Sequence, residues 1–214
     1  MSDIARFNMV EAQIRSSNVT DPRIHAAMGA VARDAFVPRA ARALAYADVP
    51  VAVAPGRYLL DPRSFAKLLQ LAAIRAEDRV LDVACGTGYS SAVLARLAAE
   101  VVALEQDADL VRVASELLAN AVGKVEVVQG GLIEGVRGQA PFDVIFVNGA
   151  IEQVPDTLLG QLAEGGRLVT MMRLDGQCRG WLFLKENGQV GRRPDFDAEV
   201  PLLAGFRKAV GFVF

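Results

Sequence analysis

Four residues carry the clearest chemical signal in this chain: Asp82, Gly86, Gly88 and Glu105. Asp82 stands near the end of the apolar run 80–83, and Gly86 and Gly88 flank Thr87 directly after it. Beyond them Val93, Leu94 and Leu97 recur at helical intervals, so the stretch reads as a buried strand, a tight glycine turn and a helix. Glycine at such a turn lets the backbone approach a ligand closely, and the first N–H groups of the helix, which lack partners within it, face that ligand. A purely structural turn uses the same glycines, so the discriminating signal comes from the next strand. Val101, Val102, Ala103 and Leu104 lead into Glu105, nineteen residues beyond Gly86. An acid at that distance can accept both ribose hydroxyls of a nucleotide-like ligand. Alternatively Glu105 caps the following helix, a task open to Asp107 or Asp109 as well. The dinucleotide fingerprint asks for a third glycine three residues after the second. That position is Ser91, which argues against NAD.

The elements around these residues follow from patterning. From Asp78 onward, strands at 79–83, 100–104, 125–128, 144–147 and 167–171 alternate with helices near 90–98, 109–120 and 155–162. Such alternation predicts an α/β fold: a doubly wound, mostly parallel sheet with right-handed crossovers and a ligand outside the carboxyl ends of its strands. Gly165 and Gly166 are expected to turn the chain into the fifth strand. Residues 1–77 form a helical front. Ser2 can cap a helix reaching about Arg15, Thr20 or Asp21 caps a second that starts at Pro22, and Pro38 ends a further turn. Residues 49–64 read as irregular, and a helix over 64–75 follows, with Ser64 as its cap. Residues 179–214 form a C-terminal β-hairpin about Asn187–Gly188, then an apolar tail from Phe206. The cofactor-binding core is 78–178, and the whole is read as one domain.

Composition narrows the function classes. The chain has 214 residues, 52% hydrophobic and 22% charged, enough for one domain with a sizeable core. A net charge of −2 with no basic cluster argues against a large nucleic-acid footprint. The apolar runs are too short to span a bilayer and no secretory leader opens the chain, so no membrane partner and a cytoplasmic setting are expected. Cys85 and Cys178 form no metal or disulfide pattern, and a single histidine, His25, leaves no scope for a His-based zinc site; it reads as a packed or solvated side chain. No metal is expected, and oligomeric state is open.

D-x-x-C-G-T-G-Y at 82–89 resembles the first motif of class I S-adenosylmethionine-dependent methyltransferases. M-V-E-A-Q-I-R at 9–15, T-D-P-R at 20–23, R-D-A-F-V-P at 33–38 and A-Y-A-D at 45–48 resemble the front of the protein-L-isoaspartate O-methyltransferase family, and V-P-L-L-A-G at 200–205 resembles its end. The resemblance implies a Rossmann-like seven-stranded sheet and S-adenosyl-L-methionine as cofactor. It implies a cofactor site built from Asp82, Ala84, Cys85, Gly86, Thr87 and Gly88 at the turn, Glu105 and Gln106 after the second strand, Gly131 and Leu132 after the third, and Asn148 at the fourth. Asn148 either touches substrate or turns the chain. The family's substrate loop reads roughly G-Q-T-I-S-Q-P, whereas this chain has G-R-Y-L-L-D-P at 56–62. Tyr58, Leu60 and Asp61 thus stand at the acceptor positions, with Leu60 in place of a serine. The family's G-D-G holds an aspartate on the adenine amino group. Gly131 takes its place, so that contact is expected from backbone or from Gln129, or is lost.

The implied reaction is methyl transfer to the carboxylate of isoaspartyl residues in damaged proteins. A carboxylate is already a nucleophile, so the missing histidine–acid pair is no objection; position and a dry site suffice. Two further readings use the altered loop: the same fold with a changed acceptor, protein or small molecule, and a non-enzymatic S-adenosylmethionine-binding protein.

Overall fold

The computed structural model describes residues 2–120 and 123–207. The front section begins with α1 (Ser2–Asn8), which runs on through the π-helical turn Met9–Ile14 and the 3-10 turn Arg15–Ser17. The path matches the expected helix, but Ser2 is not its cap: its hydroxyl donates to the Asp34 carboxylate at 3.0 Å. Helix α2 (Pro22–Ala30) is capped by Asp21, which accepts from the Arg23 amide at 2.8 Å.

Residues 49–64 are not irregular. They hold a hairpin of β1 (Val51–Ala54) and β2 (Arg57–Leu59), which pair antiparallel about Pro55 and Gly56. Val51 and Leu59 pair and are buried, while their neighbours Ala52 and Tyr58 pair on the outer face. That alternation is the period of two expected of a half-covered strand. Helix α3 (Pro62–Ala72) then starts two residues earlier than expected. Its N-cap is Asp61, not Ser64: Asp61 Oδ1 accepts from the Ser64 amide at 2.8 Å, with Pro62 in the first helical position.

The main sheet contains β3 (Arg79–Val83), β4 (Glu100–Glu105), β5 (Lys124–Gln129), β6 (Phe142–Ile151), β7 (Leu162–Leu174), β8 (Gln177–Glu186) and β9 (Gln189–Asp197), in the order β5-β4-β3-β6-β7-β8-β9. Strands β3 to β7 run parallel and β8 and β9 antiparallel. Because β3 lies between β4 and β6, the order reverses beside it, and this switch point opens a crevice at the carboxyl ends of those strands. Alternate strand residues feed two cores. Val80, Val101, Val144 and Phe146 face the front helices, while Leu81, Val102, Ile145 and Val147 face the other layer.

The crossovers α4 (Tyr89–Leu94), α5 (Ala108–Leu118) and α6 (Asp156–Leu159) fall at the expected intervals, though α4 and α6 end sooner and Leu162 already belongs to β7. Gly165 and Gly166 do not turn the chain into the fifth strand; they form a bulge inside β7, where the pairing steps from Phe142↔Leu162 to Val144↔Arg167. Strand β6 outruns its expected end at residue 147 because residues 201–203 pair with it: the Ala150 amide donates to Pro201 at 3.0 Å and the Leu203 amide to Ala150 at 2.7 Å. At the far end Asn187 and Gly188 join β8 to β9 with φ of +52° and +74°, and the Glu164 carboxylate accepts both of their amides. Of the expected apolar tail, Phe206 is buried and residues 208–214 lie outside the described residues.

Candidate functional site

The glycine turn sits on the carboxyl end of β3. Ala84, Gly86 and Gly88 take φ of +60°, +58° and +94°, and the Cys85 amide donates to Leu104 of the neighbouring strand at 3.1 Å. The two glycines do different work. A Cβ on Gly88 would meet Leu118 of α5 at 2.7 Å, so this glycine lets two elements pack. A Cβ on Gly86 would point toward Val53 of the hairpin at 3.5 Å, so this glycine faces the crevice.

Asp82 is fully buried below the turn. Ser90 and Ser91 donate hydroxyls to its Oδ2 at 2.7 and 2.6 Å, and Asn148 donates its amide to Oδ1 at 2.5 Å. Burial pushes the Asp82 carboxyl up to about 6, and these three donors hold it from rising further. Ser91, at the third-glycine position, is therefore a carboxyl donor. Asn148 neither ends its strand nor points away from the turn: it ties β6 to β3 through Asp82 and the Val83 carbonyl. Cys85 is a buried thiol pushed well up by burial. Thr87 donates to the Phe36 carbonyl at 2.6 Å, which fastens the turn to the front section.

Glu105 ends β4 with no exposed surface. Its Oε2 accepts from the Gly86 amide at 3.1 Å, and Oε1 from the amides of Gln106 at 2.7 Å and Asp107 at 3.2 Å. The capping alternative falls to Asp107, which caps α5 through the amides of Asp109 and Leu110. Glu105 is free of that task and bonds directly to the crevice-facing glycine. It also holds Arg57 of β2, whose Nε lies 3.0 Å from Oε1 and 3.1 Å from Oε2. Nothing in the local sequence announces this partner, 48 positions away.

At the next strand end Leu132 is buried and Gln129 points to solvent. A Cβ on Gly131 would run into the carboxylate of Glu134. A carboxylate therefore stands where a side chain on residue 131 would project, delivered from three residues downstream.

The hairpin roofs the turn. A cavity of about 10 Å³ lies between them, lined by Arg33, Tyr58, Leu60, Cys85, Tyr89 and Asn148. That is the room of a single water. Tyr58 is 36% exposed at the outer rim and Leu60 is buried. Asp61, buried and raised by that burial, turns its carboxyl into the first turn of α3 instead of into the cavity. Arg33, another residue the sequence did not single out, is 1% exposed and carries its charge into this roof. It donates to the carbonyls of Ala45 at 2.6 Å and of Leu60, and its guanidinium lies 4.8 Å over the Tyr89 ring. The set fits S-adenosylmethionine: a glycine-lined approach, a buried carboxylate bonded to its crevice-facing glycine, and a second carboxylate beside Gly131. Among the described residues no group of three or more acids, cysteines or histidines could hold a metal ion.

The family model described as protein-L-isoaspartate(D-aspartate) O-methyltransferase matches residues 5–195. A protein-L-isoaspartate O-methyltransferase of Methanoculleus marisnigri is 41% identical over 165 residues, 77% of this chain and 75% of its own. One of Rhodopseudomonas palustris is 37% identical over 203 residues, 91% of each chain. The fold is shared with a Plasmodium falciparum protein described as a candidate protein-L-isoaspartate O-methyltransferase, solved with S-adenosyl-L-homocysteine. Its TM-score is 0.80 at 21% identity, over 92% of this chain and 97% of that one.

Proposed function

The chain belongs to the protein-L-isoaspartate(D-aspartate) O-methyltransferase family, and from that premise we propose that it methylates the isoaspartyl carboxylates of damaged proteins as a step in their repair in the cytoplasm. It is an S-adenosylmethionine-dependent methyltransferase. The observation that carries the reading is the reach of the family match, which takes in the helical front and the hairpin roof as well as the cofactor turn. Two free cysteines and the absence of any helix long and apolar enough to cross a membrane, among the described residues, support the setting.

Bound S-adenosylmethionine supplies a methyl group on a positively charged sulfur. The residues of the chain hold and shield. Glu105 accepts from the ribose, the Gly86 turn admits the methionine end, and Asp82 keeps that turn fixed through Ser90, Ser91 and Asn148. Glu134 takes the adenine end. The hairpin and Arg33 roof the turn and leave room beneath for no more than a single water. An acceptor that is already ionised needs no base.

The changed-acceptor reading rests on the altered loop at Tyr58, Leu60 and Asp61, on Gly131 and on Asn148, and an Asp61 carboxylate facing the cavity would repel an anionic acceptor. With Asp61 engaged as a helix cap, that repulsion is directed away from the cavity. The non-enzymatic reading gains nothing, since Glu105 and the open turn are both in place.

The test is methyl transfer from labelled S-adenosylmethionine to an isoaspartyl peptide, with the ordinary aspartyl peptide as control. Selective labelling of the isoaspartyl peptide is expected. Equal or absent labelling, in protein that binds S-adenosylhomocysteine, would transfer the assignment to another acceptor.

A further inference from the structure

Glu105 is the acceptor the ribose requires, and its oxygens are already engaged. A carboxylate offers about four lone-pair directions. Three backbone amides, those of Gly86, Gln106 and Asp107, take one each. The Arg57 Nε–H takes the remainder, lying astride both oxygens at 3.0 and 3.1 Å. The pair is enclosed, with side-chain exposures of 10% for Arg57 and none for Glu105, so water screens it little. The three amides leave one lone pair of the four, on Oε2, and Arg57 covers it, so a ribose hydroxyl that bonds to Glu105 there must displace Arg57.

We propose that Arg57 is a cofactor-site residue that competes with the ribose for Glu105, so that cofactor binding must displace it and thereby release the hairpin over the acceptor cavity. The inference rests on the cofactor reading above and adds to it a specific competitor. Arg57 belongs to β2, next to Tyr58 and three residues before Leu60, both of which wall the cavity of about 10 Å³. That cavity cannot admit a peptide carboxylate while the hairpin stays down. One ion pair thus holds two things closed: the ribose acceptor and the room for the methyl acceptor. Arg33 still donates to the Leu60 carbonyl, and Val51 and Leu59 stay packed in the front core, so the hairpin remains attached when Arg57 lets go. The consequence is order: the cofactor enters first, and the acceptor peptide gains access only afterwards.

The test compares wild type with Arg57→Gln and Arg57→Lys, using S-adenosylhomocysteine as probe. Titration calorimetry reads affinity, and hydrogen exchange reads the amides of residues 51–59. Arg57→Gln removes the charge and keeps a polar side chain; it should bind the probe about tenfold more tightly, a difference of about 1.4 kcal/mol. Arg57→Lys retains a competitor and should stay near wild type. Probe added to wild type should speed exchange in 51–59, and Arg57→Gln should exchange fast there without it. Equal affinity in wild type and Arg57→Gln, or weaker binding by Arg57→Gln, would overturn the competition and leave the cofactor assignment standing. Faster exchange in Arg57→Gln with no probe binding by any of the three proteins would instead bring down the cofactor reading, and this inference with it.

Discussion

Asp82 is the residue whose environment makes the sharpest demand on pH. Its folded value of about 6 lies above the ordinary 3.8, so the folded state keeps this proton when the unfolded chain has released it. Stability therefore falls as pH rises from about 4 to about 6, by an amount on the order of 3 kcal/mol for this group alone. Asp82→Asn should lose that slope while keeping the fold, read as melting temperature against pH. A variant that retains the full slope would place the titration elsewhere. Glu105→Ala should weaken S-adenosylhomocysteine binding at least tenfold, since it removes the only acidic acceptor bonded to Gly86 among the described residues. Glu134→Ala should weaken it by about tenfold as well, in line with one hydrogen bond of roughly 0.5–1.5 kcal/mol, and calorimetry distinguishes these losses from none. Leu60→Ser should raise transfer to the isoaspartyl peptide; unchanged turnover would show that the buried leucine is no handicap.

At the scale of elements, the caps and turns decide how accurately the site is held. Asp61 starts α3 and so fixes where the β1–β2 hairpin hands over to the front core. Asp61→Ala should cost about 1 kcal/mol of stability, and Asp61→Asn much less, because either amide or carboxylate oxygen caps a helix. Chemical denaturation of the pair tests this; equal losses would make the charge, not the cap, the reason for the residue. The elements also show what was legible beforehand. Strand–helix alternation and the placing of Glu105 at the end of β4 were readable because each rests on local period and spacing. The hairpin was not read, since Pro50, Pro55 and Gly56 suggested breaks. Yet Val51 and Val53 before the Pro55–Gly56 turn already alternate as a strand does. The β7 bulge was misread as a turn because Gly165–Gly166 looks the same in either. Arg57, Arg33 and Glu134 had no local signature: each acts through a partner brought near only by folding, or by a chain that doubles back within a few residues.

Across the whole molecule, Arg33 connects parts that are far apart in sequence. Its guanidinium joins the front section at Ala45, the hairpin end at Leu60 and the cofactor turn at Tyr89. Burial lowers its basicity. Arg33→Met should therefore destabilise the entire fold by roughly 1.5–3 kcal/mol, the usual range for hydrogen bonds from a charged group, and not loosen the front section alone. A single cooperative transition at lower temperature is the expected trace, and two separate transitions would contradict it.

The turn between β8 and β9 has a bearing on the enzyme's own lifetime. Asparagine followed by glycine is the sequence in which a side-chain amide is most easily lost, because the glycine nitrogen can close on the asparagine carbonyl, expel ammonia and leave an imide that reopens to isoaspartate. In this chain that nitrogen belongs to Gly188, and it donates to Glu164 at 3.2 Å, while the backbone of Asn187 is fixed in the left-handed region. The attacking atom is thus occupied and its approach constrained. An enzyme of this family carries in its hairpin the lesion's favoured precursor, guarded by one glutamate from the bulge of β7. Glu164→Ala should age faster at residue 187 on prolonged incubation, seen by peptide mapping, and the aged protein should then become a methyl acceptor for fresh enzyme.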